Sequence, residues 1–189
     1  MKFEKEKIRI PEGTFKVEVQ KFEKKDRKFL FSIYTDWLNL SEKLKKINSR
    51  SINIPEGLSE GALCLEMGFW RLGNLSISNA NTSFDCYDPK NFLRIQVKAA
   101  SSKEDLSSFG PRSVWDQLYF VDFYRDGKWD GKFDIYLIDN DDIYNQKVNE
   151  NQTFKDQQKQ GRRPRFSIKK KIINKKKLKP LKTGDLSKN

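Results

Sequence analysis

Between positions 13 and 48, apolar residues recur at spacings of three, four and seven: Phe22, Phe29, Leu30, Ile33, Trp37, Leu40, Leu44 and Ile47. That recurrence marks one face of an α-helix, and it predicts helical structure across 13–48, divided where Thr35-Asp36 interrupts the run. Residues 48–57 (NSRSINIPEG) are loop by composition. A second helix fits 59–70, with Ser59 as its N-cap, Glu60 in its first turn, and Leu63, Leu65, Met67 and Trp70 turned inward. After Gly73 the period changes to two. Residues 83–87 and 92–99 read as adjacent strands joined by the turn Asp88-Pro89-Lys90-Asn91. The Ser-rich stretch 100–108 reads as loop, and 118–123 and 133–138 as two more strands around a long connection containing Gly127 and Gly131. Residues 139–158 are polar, with a helix start at Asn140-Asp141, and a basic region follows. This order predicts a mixed α/β (α+β) domain with a central sheet flanked by helices.

Composition narrows the class. The 189 residues include 14 Phe and 4 Trp, enough to bury a core. No run of about 18 apolar residues occurs, and the N-terminus MKFEKEKIRI is alternately charged, so neither a membrane span nor secretion is expected and a cytoplasmic location follows. Cys64 and Cys86 lie in apolar segments and are expected as buried, reduced thiols. There is no histidine. That excludes Ser-His-Asp triads, Cys-His pairs and His-ligated zinc, and two cysteines cannot close a Cys₄ zinc site. Hydrolytic chemistry has to run on carboxylates, amides, hydroxyls and lysine.

Charge is uneven along the chain. Residues 1–146 hold 23 basic and 23 acidic side chains, whereas 147–189 hold 15 basic and 3 acidic, so the net +12 belongs to the C-terminal region. The chain therefore reads as a charge-balanced core, 1–146, followed by a basic region and tail, 147–189. That region carries Arg162, Arg163, Arg165, Lys169, Lys170 and Lys171, an electrostatic footprint for a polyanion. A merely solubilising tail is the alternative. An anionic membrane fits less well, because no amphipathic helix accompanies the basic residues.

Alternate side chains of a strand share a face, so Leu93, Ile95 and Val97 point into the core and Arg94, Gln96 and Lys98 point the other way. Asp85, between apolar Phe84 and Cys86, faces away from the core as well. If the two strands pair across the short turn, Asp85, Gln96 and Lys98 converge. A carboxylate, an amide oxygen and the Val97 backbone carbonyl can hold an octahedral Mg²⁺, and the Lys98 ammonium would reach the attacking water and the target phosphate. On spacing alone, the same three residues also fit a solvated strand face.

Asp85, ten intervening residues, then Gln96-Val97-Lys98 in the strand FLRIQVKAA, with a helical Glu60 upstream, resembles the PD-(D/E)XK nuclease superfamily. The resemblance implies a core running helix, three-stranded antiparallel meander, helix, strand. It also implies Asp85, Gln96 and Val97 as metal ligands, Glu60 as a further acid near the metal, and Lys98 as the catalytic lysine. Gln96 departs from the usual Asp or Glu and removes one negative charge, which weakens Mg²⁺ binding; Phe84 stands where a proline is expected. More closely, IPEGLSEGALCLEMGFW, RIQVKAASS, SSFGPRSVWDQLYFVDF and GKFDIYLI resemble a small family of type II restriction endonucleases that cleave within GCNGC, over roughly residues 37–170. That resemblance implies Mg²⁺-dependent hydrolysis of both strands of duplex DNA with 5′-phosphate ends, a homodimer matching a two-fold site, and a cognate DNA methyltransferase.

Reading a GC-rich site requires donors to guanine O6 and N7, which arginine supplies as a fork. Arg112, Arg162, Arg163 and Arg165 are the candidates, and Lys169 to Lys182 are assigned to phosphates, which position the duplex without specifying it. Glu66 is a rival to Glu60. The recurrence of Asp122, Asp126, Asp130 and Asp134 is read as turn and sheet-edge residues, because Gly127 and Gly131 argue against a helix and the calcium-loop pattern fails. Two other classes stay open on the residues: a non-catalytic nucleic-acid-binding protein, and a homing or repair nuclease on the same core.

Overall fold

The computed structural model describes residues 1–73, 77, 80–102 and 106–188. Its first element corrects the helical reading of 13–48. β1 (Lys2–Ile10) and β2 (Gly13–Lys21) form an antiparallel hairpin turned at Pro11-Glu12, pairing Lys7 with Lys16 and Ile10 with Gly13. Phe15, Val17 and Val19 alternate with polar residues, a period of two that the wider helical spacing had hidden. Helix α1 (Arg27–Lys46) then runs unbroken past Thr35, whose hydroxyl bonds the Phe31 carbonyl at 3.0 Å. It buries Leu30, Tyr34, Trp37 and Ser41, and leaves Phe29 and Leu40 exposed, as is Ile47 at its C-cap.

Helix α2 (Glu56–Met67) begins three residues earlier than expected. Pro55 occupies the N-cap position, and Ser59 lies inside the helix with its hydroxyl on the Glu56 carbonyl at 3.0 Å. Gly68, at φ +75°, ends it in the left-handed conformation that favours glycine. Trp70 therefore falls in the short β3 (Trp70–Arg71). β4 (Cys86–Asp88), β5 (Leu93–Ala100), β6 (Ser107–Ser108), β7 (Gln117–Asp122) and β8 (Lys132–Ile138) follow, then α3 (Asn140–Tyr144), α4 (Phe154–Lys159), β9 (Arg165–Phe166), a π-helical turn over Lys169–Asn174, and β10 (Lys182–Asp185).

Eight strands build one sheet in the order β1-β2-β3-β4-β5-β7-β8-β10. It is mixed: β5 and β7 are parallel, and the other neighbours are antiparallel. β3, β4 and β5 thus form the antiparallel meander. The crossover from β5 to β7 carries no helix among its described residues; it contributes β6, which pairs with β9.

One face of β5 packs Ile95 and Val97 among Leu30, Trp37, Leu63 and Cys64 of the two long helices. The other face is also covered, by Phe109, Trp115, Phe154, Phe166, Ile168 and Ile172. Arg94 and Gln96 are therefore buried and not solvated. Arg94 is accommodated by a bidentate ion pair with Asp116, at 3.0 and 2.8 Å. The basic segment, set apart by charge, is built into this arrangement: β10 pairs with β8, and Lys169 forms a 2.5 Å ion pair with Asp122 at the buried end of β7. Asp122 and Asp134 face each other across β7 and β8, while Asp126 and Asp130 lie in the connection. Cys64 and Cys86 are buried free thiols 3.5 Å apart. Among the described residues, no helix is long and apolar enough to cross a membrane.

Candidate active site

The turn between β4 and β5 sets the geometry. Asp88 Oδ1 accepts from the backbone N–H groups of Lys90 (2.9 Å) and Asn91 (3.3 Å), and Oδ2 accepts from Asn91 Nδ2 (2.8 Å), which holds Cys86 opposite Ile95. One residue before Cys86 the ladder ends. Asp85 N–H still donates to the Ile95 carbonyl at 2.9 Å. The Val97 N–H instead donates to the carboxylate of Asp85, at 2.7 Å, and Gln96 Nε2 donates to the same oxygen, Oδ2. The N–H and C=O of one strand residue point to the same edge. The Val97 carbonyl therefore faces the gap that opens beside Asp85 as β4 leaves β5.

That gap is the floor of an open cavity of about 610 Å³, lined by Glu56, Glu60, Asp85, Val97, Lys98 and Arg165 among others. Glu60 comes from the first half of α2 and is 8 % exposed. Arg71, on β3, donates from Nε to Glu60 Oε2 at 2.6 Å and from Nη1 to Gln20 Oε1 of β2 at 3.1 Å. Burial pushes the Glu60 carboxyl up to about 7, and the Asp85 charge adds to this against the pull of Arg71. Burial likewise pushes Asp85 up to about 6, opposed by Lys98 and the Val97 N–H and reinforced by Glu56. Lys98 Nζ stands 5.3 Å from the centre of the Phe109 ring and makes no ion pair among the described residues.

The donor set can be tested against a divalent cation. Gln96 Oε1 is buried without a hydrogen-bond partner, an arrangement that costs about 1–3 kcal/mol unless something satisfies it. Together with the Asp85 carboxylate and the Val97 carbonyl, it offers hard oxygen donors and neither thiolate nor imidazole. No group of three or more His, Cys, Asp and Glu side chains comes together among the described residues. An ion here would rest on one carboxylate, the amide and backbone oxygens and water; Mg²⁺ commonly takes one or two carboxylates and keeps several waters. The residues fit such an ion.

Of the residues singled out from sequence, Glu60, Asp85, Gln96, Val97 and Lys98 come together, and Arg165 reaches the cavity from β9. Arg112 is exposed, and its carbonyl accepts from Asn81 Nδ2 (2.9 Å) in the segment leading into Asp85. Arg162, Arg163 and Lys170 are exposed, while Lys171 Nζ bonds the Lys147 carbonyl at 2.8 Å. Lys169 is turned inward, with an ion pair to Asp122 at 2.5 Å and a hydrogen bond to the Tyr124 carbonyl at 3.1 Å. Glu66 is engaged by Arg27 (2.9 Å) and Lys182 (3.0 Å) and takes no part. Sequence reasoning missed Arg71 and Glu56. The signal for Glu56 was present, since it precedes Glu60 by four residues and so shares its helix face; Arg71 had none, because its partner lies across the fold.

Residues 22–175 match the Bsp6I restriction endonuclease family. The chain belongs to that family. Over 151 residues it is 39 % identical to the type II restriction enzyme Bsp6I of Bacillus sp. (strain RFL6), a match covering 78 % of this chain and 81 % of that protein. No solved structure matches the chain. As a Bsp6I-family member it is a type II restriction endonuclease, an enzyme and not a passive nucleic-acid binder. The matched stretch contains Glu60, Asp85, Gln96, Val97, Lys98 and the candidate arginines, while the last of the phosphate-assigned lysines, β1, β2 and β10 lie outside it.

Proposed function

We propose that this family member cleaves both strands of duplex DNA by Mg²⁺-dependent hydrolysis of the PD-(D/E)XK type, leaving 5′-phosphate ends, with GCNGC as the target word. The observation that carries the reading is the closure of the β4/β5 ladder by Asp85, which sets its carboxylate, the Val97 carbonyl and Lys98 around one cavity. A bound Mg²⁺ would supply charge neutralisation at the phosphate and water of lowered pKa. Asp85, Gln96 Oε1 and the Val97 carbonyl are the groups that would hold it. Lys98 places an ammonium where negative charge grows on the pentacovalent phosphorus. Glu60, gripped at Oε2 by Arg71, can take a proton from water at Oε1 near neutral pH.

Arg165 in the cavity and Arg112 beside it are the base-reading candidates, with Arg162, Arg163, Lys170 and Lys171 on phosphates. A target with two-fold symmetry calls for a homodimer, and a cognate methyltransferase would protect the host's own sites in the cytoplasm. The test is a plasmid digest in Mg²⁺ with end-sequencing of the fragments. Discrete fragments with 5′-phosphates at one word are expected, together with a loss of at least about 10²-fold in rate for Lys98→Ala. An intact plasmid, or undiminished cutting by Lys98→Ala, refutes the reading.

A further inference from the structure

We propose that the solvent face of the β1/β2 hairpin is a second DNA-contact surface, binding phosphates of the duplex that flanks the cleavage site. The inference rests on the restriction-endonuclease reading for its ligand, and on the hairpin's own charge pattern for its place. The register divides the hairpin's charges by face. On one face Lys21 holds Glu4 (2.7 Å) and Glu6 (2.5 Å) and Lys2 pairs with Glu23 (2.9 Å), so every cation there is already partnered. On the other, Lys5, Lys7, Arg9 and Lys16 are all exposed, and none makes an ion pair among the described residues. Glu18 is the one acid that the hairpin's own strands place on that face.

Lys7 stands directly opposite Lys16. Like charges so placed across an antiparallel pair destabilise it, and a polyanion laid along the face removes the penalty. Phosphates of a duplex supply such a row, at one charge per about 1.7 Å of axis.

The hairpin is also tied at both ends to the segments carrying the acids. At its open end, Gln20 accepts from Arg71, the partner of Glu60. At its turn, Glu12 accepts from the Asn81 N–H at 3.3 Å, four residues before Asp85. Tyr87, on β4, donates its hydroxyl to the Arg9 carbonyl at 3.0 Å and accepts from the Arg9 N–H at 2.8 Å. The basic face is thus a fixed platform beside the cavity. β1 stands four strands from β5, about 19 Å at about 4.8 Å per strand, or about six base pairs from the scissile bond at about 3.4 Å each.

The test measures duplex affinity against salt concentration, without divalent cations, for the wild type and for the combined variant Lys5→Ala, Lys7→Ala, Arg9→Ala, Lys16→Ala. Two duplexes are used, both carrying the enzyme's cleavage site: one ending about four base pairs from the scissile bond on each side, short of the hairpin, the other extended by about fifteen. On the extended duplex the salt slope should flatten by about 3.6 units per bound subunit, close to 0.9 for each of the four phosphates that the variant no longer neutralises. On the trimmed duplex the two proteins should coincide. Glu18→Lys, which adds a cation to the same face, should steepen the slope on the extended duplex and guards against loss of fold as the cause. An unchanged slope on the extended duplex, or an equal change on the trimmed one, overturns the proposal. Cleavage in Mg²⁺ is read separately, on random-sequence plasmid. Should it fail, the endonuclease reading falls, while the slopes on any extended duplex still decide the hairpin.

Discussion

Asp85 is held by a backbone N–H that would otherwise belong to the sheet, which is why a buried carboxylate can persist at the floor of a cavity. In the proposed PD-(D/E)XK reading, its neighbour Gln96 stands where an acid is usual. Gln96→Glu would restore the missing charge and set two carboxylates against each other. Two effects are expected: half-maximal cleavage at a several-fold lower Mg²⁺ concentration, and a metal-free protein that melts earlier. A Mg²⁺ titration of cleavage and a melt in chelator check both, and no shift in either would remove Gln96 from the ligand set. Arg71 offers a second test. Arg71→Ala leaves Glu60 buried without its partner, so the rate should fall about 10-fold or more and its rise with pH should move to higher pH. An unmoved profile would make Arg71 structural. Asp85, Gln96 and Lys98 were legible because an alternating strand displays them at fixed spacing. Arg71 was not, since an ion pair between β3 and α2 has no period in the chain.

Helix α2 shows how closely the elements around the site are fitted. A Cβ at Gly61 would lie 2.9 Å from the Phe22 ring and 3.0 Å from Leu30, so this glycine lets α2 approach α1. Gly61→Ala should cost about 1–3 kcal/mol, as overpacking generally does. Gly57→Ala, on the same helix, meets only the flexible end of Arg71 at 3.7 Å and should be nearly neutral. Thermal melts of the two variants compare them directly, and equal melting temperatures would show that the close approach is not limiting. β4, β5, β7 and β8 were predictable, because apolar alternation and turn residues coincide there; β6 falls in the Ser-rich stretch that reads as loop. The hairpin was not: its outward positions are charged, and Phe22 lies in register with the helical apolar series that follows.

The paired acids also set a pH dependence for the whole molecule. Glu60 is raised from 4.5 to about 7 and Asp85 from 3.8 to about 6. A carboxyl raised in the folded state favours folding most when protonated, so its contribution is complete below about pH 4 and is lost as pH rises through 6 and 7. The metal-free protein should therefore melt at progressively lower temperature between about pH 4 and 7 and level off above that, by an amount on the order of a few kcal/mol. Glu60→Gln should flatten that decline. A melting temperature that rises across the window, or a variant with the same slope, would contradict the assignment. Cleavage should run the opposite way, increasing with pH over the same range as the ligands ionise.

What the sequence by itself determined was local and periodic: a mixed α/β class, the β4/β5 pair with its Asp85, Gln96 and Lys98, and a +12 charge confined to the C-terminal region. Spacing along a strand or a helix survives in the one-dimensional record because backbone geometry repeats every two or 3.6 residues. Only the tertiary structure decided that both faces of β5 are covered, burying Arg94 and Gln96. It also decided that Lys169 is spent on Asp122 and that Glu60 is gripped from β3 by Arg71. These depend on which distant segments pack together to exclude water, and burial, unlike period, belongs to the assembled fold.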